Sequence, residues 1–275
     1  MKSTLALLAG LLLTQTALAD NQPIRLATTT STANSGLLDA ILPEFEKDTG
    51  QQVHVIAVGT GKALRMGRDG DVDVLMVHAP PAEQKFMAEG YGDNRRSIMY
   101  NDFVIVGPSS DPAGVAGLKN GAESLSRIAS HNALFVSRGD DSGTHKKELG
   151  LWKKAGIAPS FSNYREAGQG MGKVLQMADE LQAYTMTDRG TWLANKDKSS
   201  LKVLVEGDAE LFNPYSVMTL SHAKYPGLNH AGAQAFADWI TSDKACHLIS
   251  AYQVAGSQLF HPDCETRDKQ MSQNK

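Results

Sequence analysis

IRLATTTSTANSGLLDAILPEFEKDTGQQVHVIAVGTGKAL, residues 24–64, decides the fold. Ile24–Thr28 is a short β-rich run that ends in a cluster of hydroxyls, Thr28 to Thr32. Leu37, Leu38, Ile41, Leu42 and Phe45 then recur at the spacing of one helical face, with Ser35 or Asn34 placed to cap a helix reaching about Thr49. Val53–Val58 is a second strand. Gly59-Thr60-Gly61 turns from it into a helical Lys62–Arg68. A strand, a crossing helix and a second strand of this kind predict parallel pairing with helices over the sheet.

The same grammar runs outward from there. Val72–Val77 reads as a strand, Ala82–Glu89 as a helix and Ser97–Val106 as a long strand before Gly107-Pro108. Beyond it, helices are expected at Leu118–Ala129, Thr144–Ala155, Gly170–Leu181, Arg189–Asn195, Gly232–Ser242 and Lys244–Ser250. Strands are expected at Ala133–Ser137, Ala183–Thr187, Leu201–Val205 and Tyr215–Leu220. No Pro/Gly/Ser linker divides the chain, so Asp102–Pro108 and Phe212–Val217 are expected to carry it between two lobes. The expected organisation is lobe I from 20–104 plus 216–275 and lobe II from 105–215.

Composition narrows the function. With 275 residues, 41% apolar positions and a net charge of −3, the chain is globular and lacks the basic footprint of a nucleic-acid binder. The N-terminus reads as a secretory signal peptide over 1–19: Lys2, the apolar run Leu5–Leu13, and Ala17-Leu18-Ala19 before cleavage. That apolar run is shorter than the ~20 residues a spanning helix needs. The expectation is therefore an exported protein whose mature chain is not inserted in a membrane. In an oxidising compartment Cys246 and Cys264 are candidates for a disulfide, worth ~3 kcal/mol through loop closure. Neither the cysteines nor the eight histidines show the spacing of a metal cluster.

Three segments share one design, in which a strand ends, small hydroxyl or glycine residues follow, and a helix begins. They are Thr28–Thr32, Gly59-Thr60-Gly61, and Ser137-Arg138-Gly139-Asp140-Asp141-Ser142-Gly143-Thr144. Unpaired N–H groups at a helix start attract anions, glycines admit close approach, and hydroxyls add rotatable donors. Together they point to a small oxyanion. Nucleotide readings fail: Ile56 stands where a P-loop needs its first glycine, and Ala63 replaces the magnesium-binding hydroxyl. Gly168-Gln169-Gly170-Met171-Gly172 lacks dinucleotide spacing and follows no evident strand. A nucleophile elbow is absent because Gly139 precedes Ser142 by three positions, and His145 reads as a helix-surface residue. No catalytic group and no cofactor is expected.

These segments resemble the periplasmic tungstate-binding proteins of bacterial ABC importers. The likeness is carried in order by TTTST (28–32), SGLLDAILPEFEKDTG (35–50), AVGTGKAL (57–64), GDVDVLMVHAP (70–80), MYNDFVIVGP (99–108), SRGDDSGTHKKE (137–148) and AYTMTDRGTW (183–192). It implies a type II periplasmic binding protein fold, two α/β lobes with mostly parallel sheets flanking a cleft for one oxyanion. It further implies delivery to a membrane permease, with the binding protein a monomer. The ligand set it implies is Thr29, Thr30, Ser31, Arg138, Ser142, Gly143 and Thr144, with Thr60 and Gly61 joining them. Read from residues alone the ion stays open, since Arg-x-x-Asp-Ser-Gly-Thr also resembles phosphate-binding receptors. A protonated phosphate gains from a carboxylate acceptor such as Asp140 or Asp141, whereas tungstate and molybdate call for donors only. An exported sensory binder could use the same site.

Overall fold

The computed structural model describes residues 22–140 and 142–263, and the leader 1–19, Asp141 and Cys264 lie outside them. In chain order, the first part contains β1 (Ile24–Thr29), α1 (Thr30–Asn34), α2 (Leu37–Thr49), β2 (Val53–Val58), α3 (Thr60–Asp69), β3 (Val74–Val77), α4 (Pro80–Ala88) and β4 (Gly92–Gly107). The middle contains α5 (Gly121–Ser130), β5 (Phe135–Ser137), α6 (Gly143–Lys154), β6 (Tyr164–Glu166), α7 (Met171–Glu180), β7 (Thr185–Asp188), α8 (Arg189–Asn195) and β8 (Lys202–Val205). β9 (Phe212–Leu220), α9 (His230–Ile240), α10 (Asp243–Ala251), β10 (Gln253–Val254), β11 (Ser257–Gln258) and β12 (His261–Pro262) complete the described chain.

β1 lies between β2 and β3, parallel to both. β5 and β6 are also parallel, with a parallel bridge from Phe135 to Tyr184 beside β7. β4 and β9 connect these groups and run antiparallel to their neighbours. β4 changes partner abruptly: Asp102 pairs with Phe212 of β9, while Phe103 pairs with Asp188 of β7. The strand thus leaves one α/β lobe and enters the other without breaking its hydrogen bonding.

Alternation along the strands buries both sheet faces, because successive side chains point to opposite sides. On β4, Val104 and Val106 join the core beneath α7 and α8, while Phe103 and Ile105 join Leu125 and Trp152 from α5 and α6. On β3, Val74 and Met76 face Phe45, Phe236 and Ile249 of α2, α9 and α10, whereas Leu75 and Val77 face Leu64 and Phe86 of α3 and α4. Phe45 meets Phe236 and Trp239 edge-on, each at 5.5 Å between ring centroids.

Two expectations need correction. The helix predicted from Asn34 or Ser35 is two helices, because Gly36 takes a left-handed conformation (φ 78°) between α1 and α2. Thr29, not Ser35, is the cap that starts the first, its hydroxyl accepting from the Thr32 amide. His145 is buried and not on the surface. His145, Glu148 and Trp152 share the inward stripe of α6 at spacings of three and four. Cys246 on α10 is disulfide-bonded, while Cys264, its expected partner, lies outside the described residues.

Asp73 pins β1 against the start of β3. Its carboxylate, 2% exposed, accepts the Arg25 backbone amide and the Nε and Nη2 of the Arg25 guanidinium at 2.8–3.1 Å, together with the Asn229 amide. Against the opposing effect of burial, these bonds hold the Asp73 carboxyl below its usual range. Asp73→Asn turns an NH2 toward these donors and should cost roughly 1–3 kcal/mol, lowering the melting temperature by several degrees. Because the native value is depressed, this contribution is full above the unfolded carboxylate pKa and is lost as pH falls through the native one. Calorimetric melts should therefore show the two proteins converging in acid.

Candidate functional site

The hydroxyl and glycine segments sit at strand ends facing the junction of the lobes. Thr30 and Ser31, at the start of α1, share the lining of a cavity of about 560 Å³ with Arg138 from the loop after β5. Asn101 of β4, Tyr215 of β9, Asp188 of β7 and the Gly170–Lys173 stretch at the start of α7 complete its polar wall. A second hollow of about 640 Å³ is lined by Thr60 and Gly61 at the start of α3, His78 after β3, and Gly143 at the start of α6. Thr29, Ser142 and Thr144 line neither cavity and stand behind these surfaces. Thr29 and Thr144 are buried.

Each loop has a local reason for its shape. Ser142 caps α6, its hydroxyl accepting from the His145 amide at 3.2 Å. Asp140 accepts from the Ser142 amide at 3.1 Å and from Arg138 Nε at 2.7 Å, so it both shapes the loop and orients the guanidinium. Burial opposes ionisation of Asp140, but the Ser142 and Arg138 contacts prevail and hold its carboxyl below the usual range. Beneath the loop, Ser137 donates to Glu148 at 2.8 Å, and Trp152 and Tyr164 donate to the same carboxylate at 3.0 and 2.9 Å. By contrast, α3 and α7 begin at Gly59 and Gly170 with no side-chain cap, leaving first-turn amides available to a ligand.

A polar cluster separates the two hollows. His78 Nε2 lies 3.1 Å from Thr29 Oγ1 and 3.4 Å from Ser31 Oγ, and Nδ1 lies 2.9 Å from Asn213 Oδ1. Asn213 donates onward to Asn101 at 2.8 Å and to the Tyr215 hydroxyl at 3.1 Å. The Tyr215 ring stacks on His78 at 4.7 Å. Burial pushes the imidazole below its ordinary pKa, against the hydrogen bond to Asn213 and the charge of Asp188. A Cβ on Gly143 would come within 3.3 Å of His78 Cε1, so the glycine admits the ring of one lobe against the helix start of the other.

The structure thus brings Thr30, Ser31 and Arg138 to one cavity, and sets Thr60, Gly61 and Gly143 on the other side of His78. Lys62, the second cation considered from sequence, is exposed on α3, whereas Lys173 lines the cavity with Arg138. Sequence reading missed His78, Asn101, Asp188, Tyr215 and the start of α7. The Gly168–Gly172 run does follow a strand, the three-residue β6, and that placement was the available signal.

A cleft between two α/β lobes joined by crossing strands, lined with helix starts and hydroxyls, defines a two-lobed binding protein. Residues 14–244 match the model of the PBP superfamily domain. The tungstate-binding protein TupA of Peptoclostridium acidaminophilum is 52% identical over 244 residues, covering 87% of this chain and 85% of that one. The solved tungstate-binding protein TupA from Desulfovibrio alaskensis G20 is 47% identical with a TM-score of 0.82, over 88% of this chain and 99% of that one. The solved structure of the tungstate ABC transporter from Geobacter sulfurreducens is 52% identical with a TM-score of 0.76, over 84% of this chain and 99% of that one. The chain belongs to the PBP superfamily and, within it, to the family that contains these tungstate-binding proteins.

Gly139 makes the Arg138 loop possible. It sits at φ 62°, and a Cβ there would lie 2.7 Å from Cβ of Glu166. Gly139→Ala should therefore destabilise by roughly 1–3 kcal/mol through strain. Gly172→Ala, whose Cβ meets open space on α7, should match or exceed the wild-type melting temperature. Thermal melts of the two variants side by side test this.

Proposed function

We propose that the protein is an extracytoplasmic receptor that captures tungstate, with molybdate as the related ligand, and delivers it to the permease of an ABC importer. The observation that carries this reading is the convergence of Ser31 from one lobe, Arg138 from the other, and the uncapped start of α7 on a single cavity. Kinship with tungstate-binding proteins supports that ion over phosphate. The local chemistry agrees: Asp140 directs its oxygens to Arg138 and Ser142, and Asp188 accepts the amide and hydroxyl of Thr191. Asp140 and Asp188 thus already accept hydrogen bonds, and the remaining lining of the cavity is rich in donors, as a fully deprotonated dianion requires.

The proposed ligand set is Ser31 and Thr30 with Thr29 as their cap, Arg138, the Ser142–Thr144 helix start, and Thr60 with Gly61. Lobe I would comprise 20–104 with 216–275, and lobe II 105–215. The reading includes export with cleavage after Ala19 and a monomeric receptor without catalytic activity. It is supported by the binding-protein relatives, and no helix among the described residues is long and apolar enough to cross a membrane.

Arg138 offers the sharpest test. Its side chain is 17% exposed, and a guanidinium can present parallel donors to two ligand oxygens. Removing one partner of such a desolvated pair costs roughly 2–5 kcal/mol, so Arg138→Ala should weaken tungstate about thirtyfold to several-thousandfold in calorimetric titration. Arg138→Lys should fall between Ala and wild type. Affinity of the alanine variant within fivefold of wild type would remove Arg138 from the site.

Selectivity and closure follow from the same reading. Tungstate should raise the melting temperature strongly, molybdate next, and phosphate or sulfate little. Because its contacts come from both lobes, tungstate should favour the closed state and reduce the radius of gyration in solution scattering. A phosphate shift equal to that of tungstate would favour the phosphate receptor instead.

A further inference from the structure

His78 lies outside the ligand set implied by sequence, yet it meets residues of both lobes at the junction. It follows β3, packs on Tyr215 of β9, abuts Gly143 of α6, and reaches both Thr29 and Ser31. Its hydrogen bonds can be followed proton by proton. The Asn213 amide nitrogen faces two oxygens, Asn101 Oδ1 and the Tyr215 hydroxyl. That orientation leaves Asn213 Oδ1 toward His78 Nδ1 at 2.9 Å. A carbonyl oxygen only accepts, so Nδ1 carries the ring proton. In the neutral ring Nε2 is then a lone pair pointing at the hydroxyls.

That lone pair sets the direction of the hydroxyl hydrogens. Thr29 Oγ1 accepts the Thr32 amide at 3.2 Å and lies 2.6 Å from Thr32 Oγ1. In the arrangement where Thr32 Oγ1 donates to it, both lone pairs of Thr29 Oγ1 are engaged, and its own hydrogen goes to His78 Nε2 at 3.1 Å. Ser31 Oγ, 3.1 Å from Thr29 Oγ1 and 3.4 Å from Nε2, then finds no open acceptor on Thr29 and a longer approach to the ring. Ser31 lines the cavity and Thr29 does not, so the freed Ser31 hydrogen is the one aimed at a ligand. Without an acceptor at Nε2, the Thr29 hydrogen must turn to Thr32 or Ser31, and a competing pattern opens in which Ser31 donates to Thr29.

We propose that His78 is a positioning residue for oxyanion capture: held as the Nδ1–H tautomer by Asn213, it accepts the hydrogen bond of the Thr29 hydroxyl at Nε2 and so reserves the Ser31 hydroxyl as a donor to the ligand. This rests on the tungstate reading above and deepens it by separating the role of Thr29 from that of Ser31. Burial, which disfavours the charged imidazole, works in the same direction by keeping the acceptor available at neutral pH.

The test combines a spectrum with two variants. In protein carrying 15N-histidine, the ring signals lost in His78→Gln identify His78. The expected pattern at pH 7, with and without tungstate, is a protonated Nδ1 and an unprotonated Nε2. An Nε2–H tautomer or a charged ring would overturn the proposal. His78→Phe keeps a stacking ring but no acceptor and should weaken tungstate about tenfold or more. His78→Gln, whose amide can both donate and accept, should recover affinity to within about threefold of wild type. Equal affinities for wild type and His78→Phe, or equal losses in both folded variants, would also overturn it. Failure of the wild-type protein to bind tungstate in the same titration would instead reject the tungstate reading, while the tautomer spectrum would still test the proton arrangement.

Discussion

Everything in this molecule is arranged around a strand that must serve two lobes at once. β4 is sixteen residues long, pairs with β9 and β12 over its first part, and with β7 and β8 over its second. Its buried second half faces α5 and α6 through Phe103 and Ile105, and α7 and α8 through Val104 and Val106. The backbone bonds are conserved through the exchange of partners, so the cost of unpaired buried amides is avoided where the chain crosses. Cleft residues inherit their positions from that crossing. Asn101 precedes the exchange by two residues, and Asn213 opposes it on β9.

At this crossing the polar groups are satisfied by one another. Asn101, Asn213, His78 and Tyr215 are largely shielded from water, and each has a partner within the cluster. A satisfied polar network of this kind defines one geometry, because any rotation leaves a donor or acceptor unpaired in a low-dielectric setting. The charged groups follow the same logic. Arg138 rests on Asp140, and Arg189 at the start of α8 is held by Asp102 and Glu206 at 2.6 and 2.7 Å. Arg138 in the cleft and Arg189 at the crossing are thus each oriented by a carboxylate.

Much of the architecture was legible in the sequence because burial imposes period. The short apolar, β-rich runs of β1, β2, β3 and β9 and the spaced apolar residues of α2 were visible as patterns, and β2 and α8 begin and end where the sequence reading places them. What periodicity could not resolve were short elements and conformational breaks. β6 has three residues, too few for a pattern. Gly36 looked like part of a helix start because only its left-handed torsion reveals the break. The site divided along the same line. Thr30, Ser31 and Arg138 stood in loops with recognisable strand-to-helix chemistry. Asn101, Asp188 and Tyr215 lie on separate strands, and His78 follows another directly, so only the tertiary fold shows them to be neighbours.

This division explains how a site built mainly from backbone and hydroxyl donors can discriminate among oxyanions. Hydroxyls donate or accept, so on their own they accommodate a protonated phosphate as readily as a deprotonated dianion. Selectivity for the dianion requires that the competing acceptors be occupied and that the hydroxyl hydrogens be aimed outward. Asp140 and Asp188 meet the first condition by capping their own loops and helices. The second cannot be met by a serine alone, since its hydrogen rotates freely. It follows only if another group accepts the neighbouring hydrogen, and the His78 ring, held through its far nitrogen by Asn213 on the crossing strand, is placed to do so. The donor-only recognition proposed for Ser31 is therefore a property of the lobe junction, transmitted from the strands that build it.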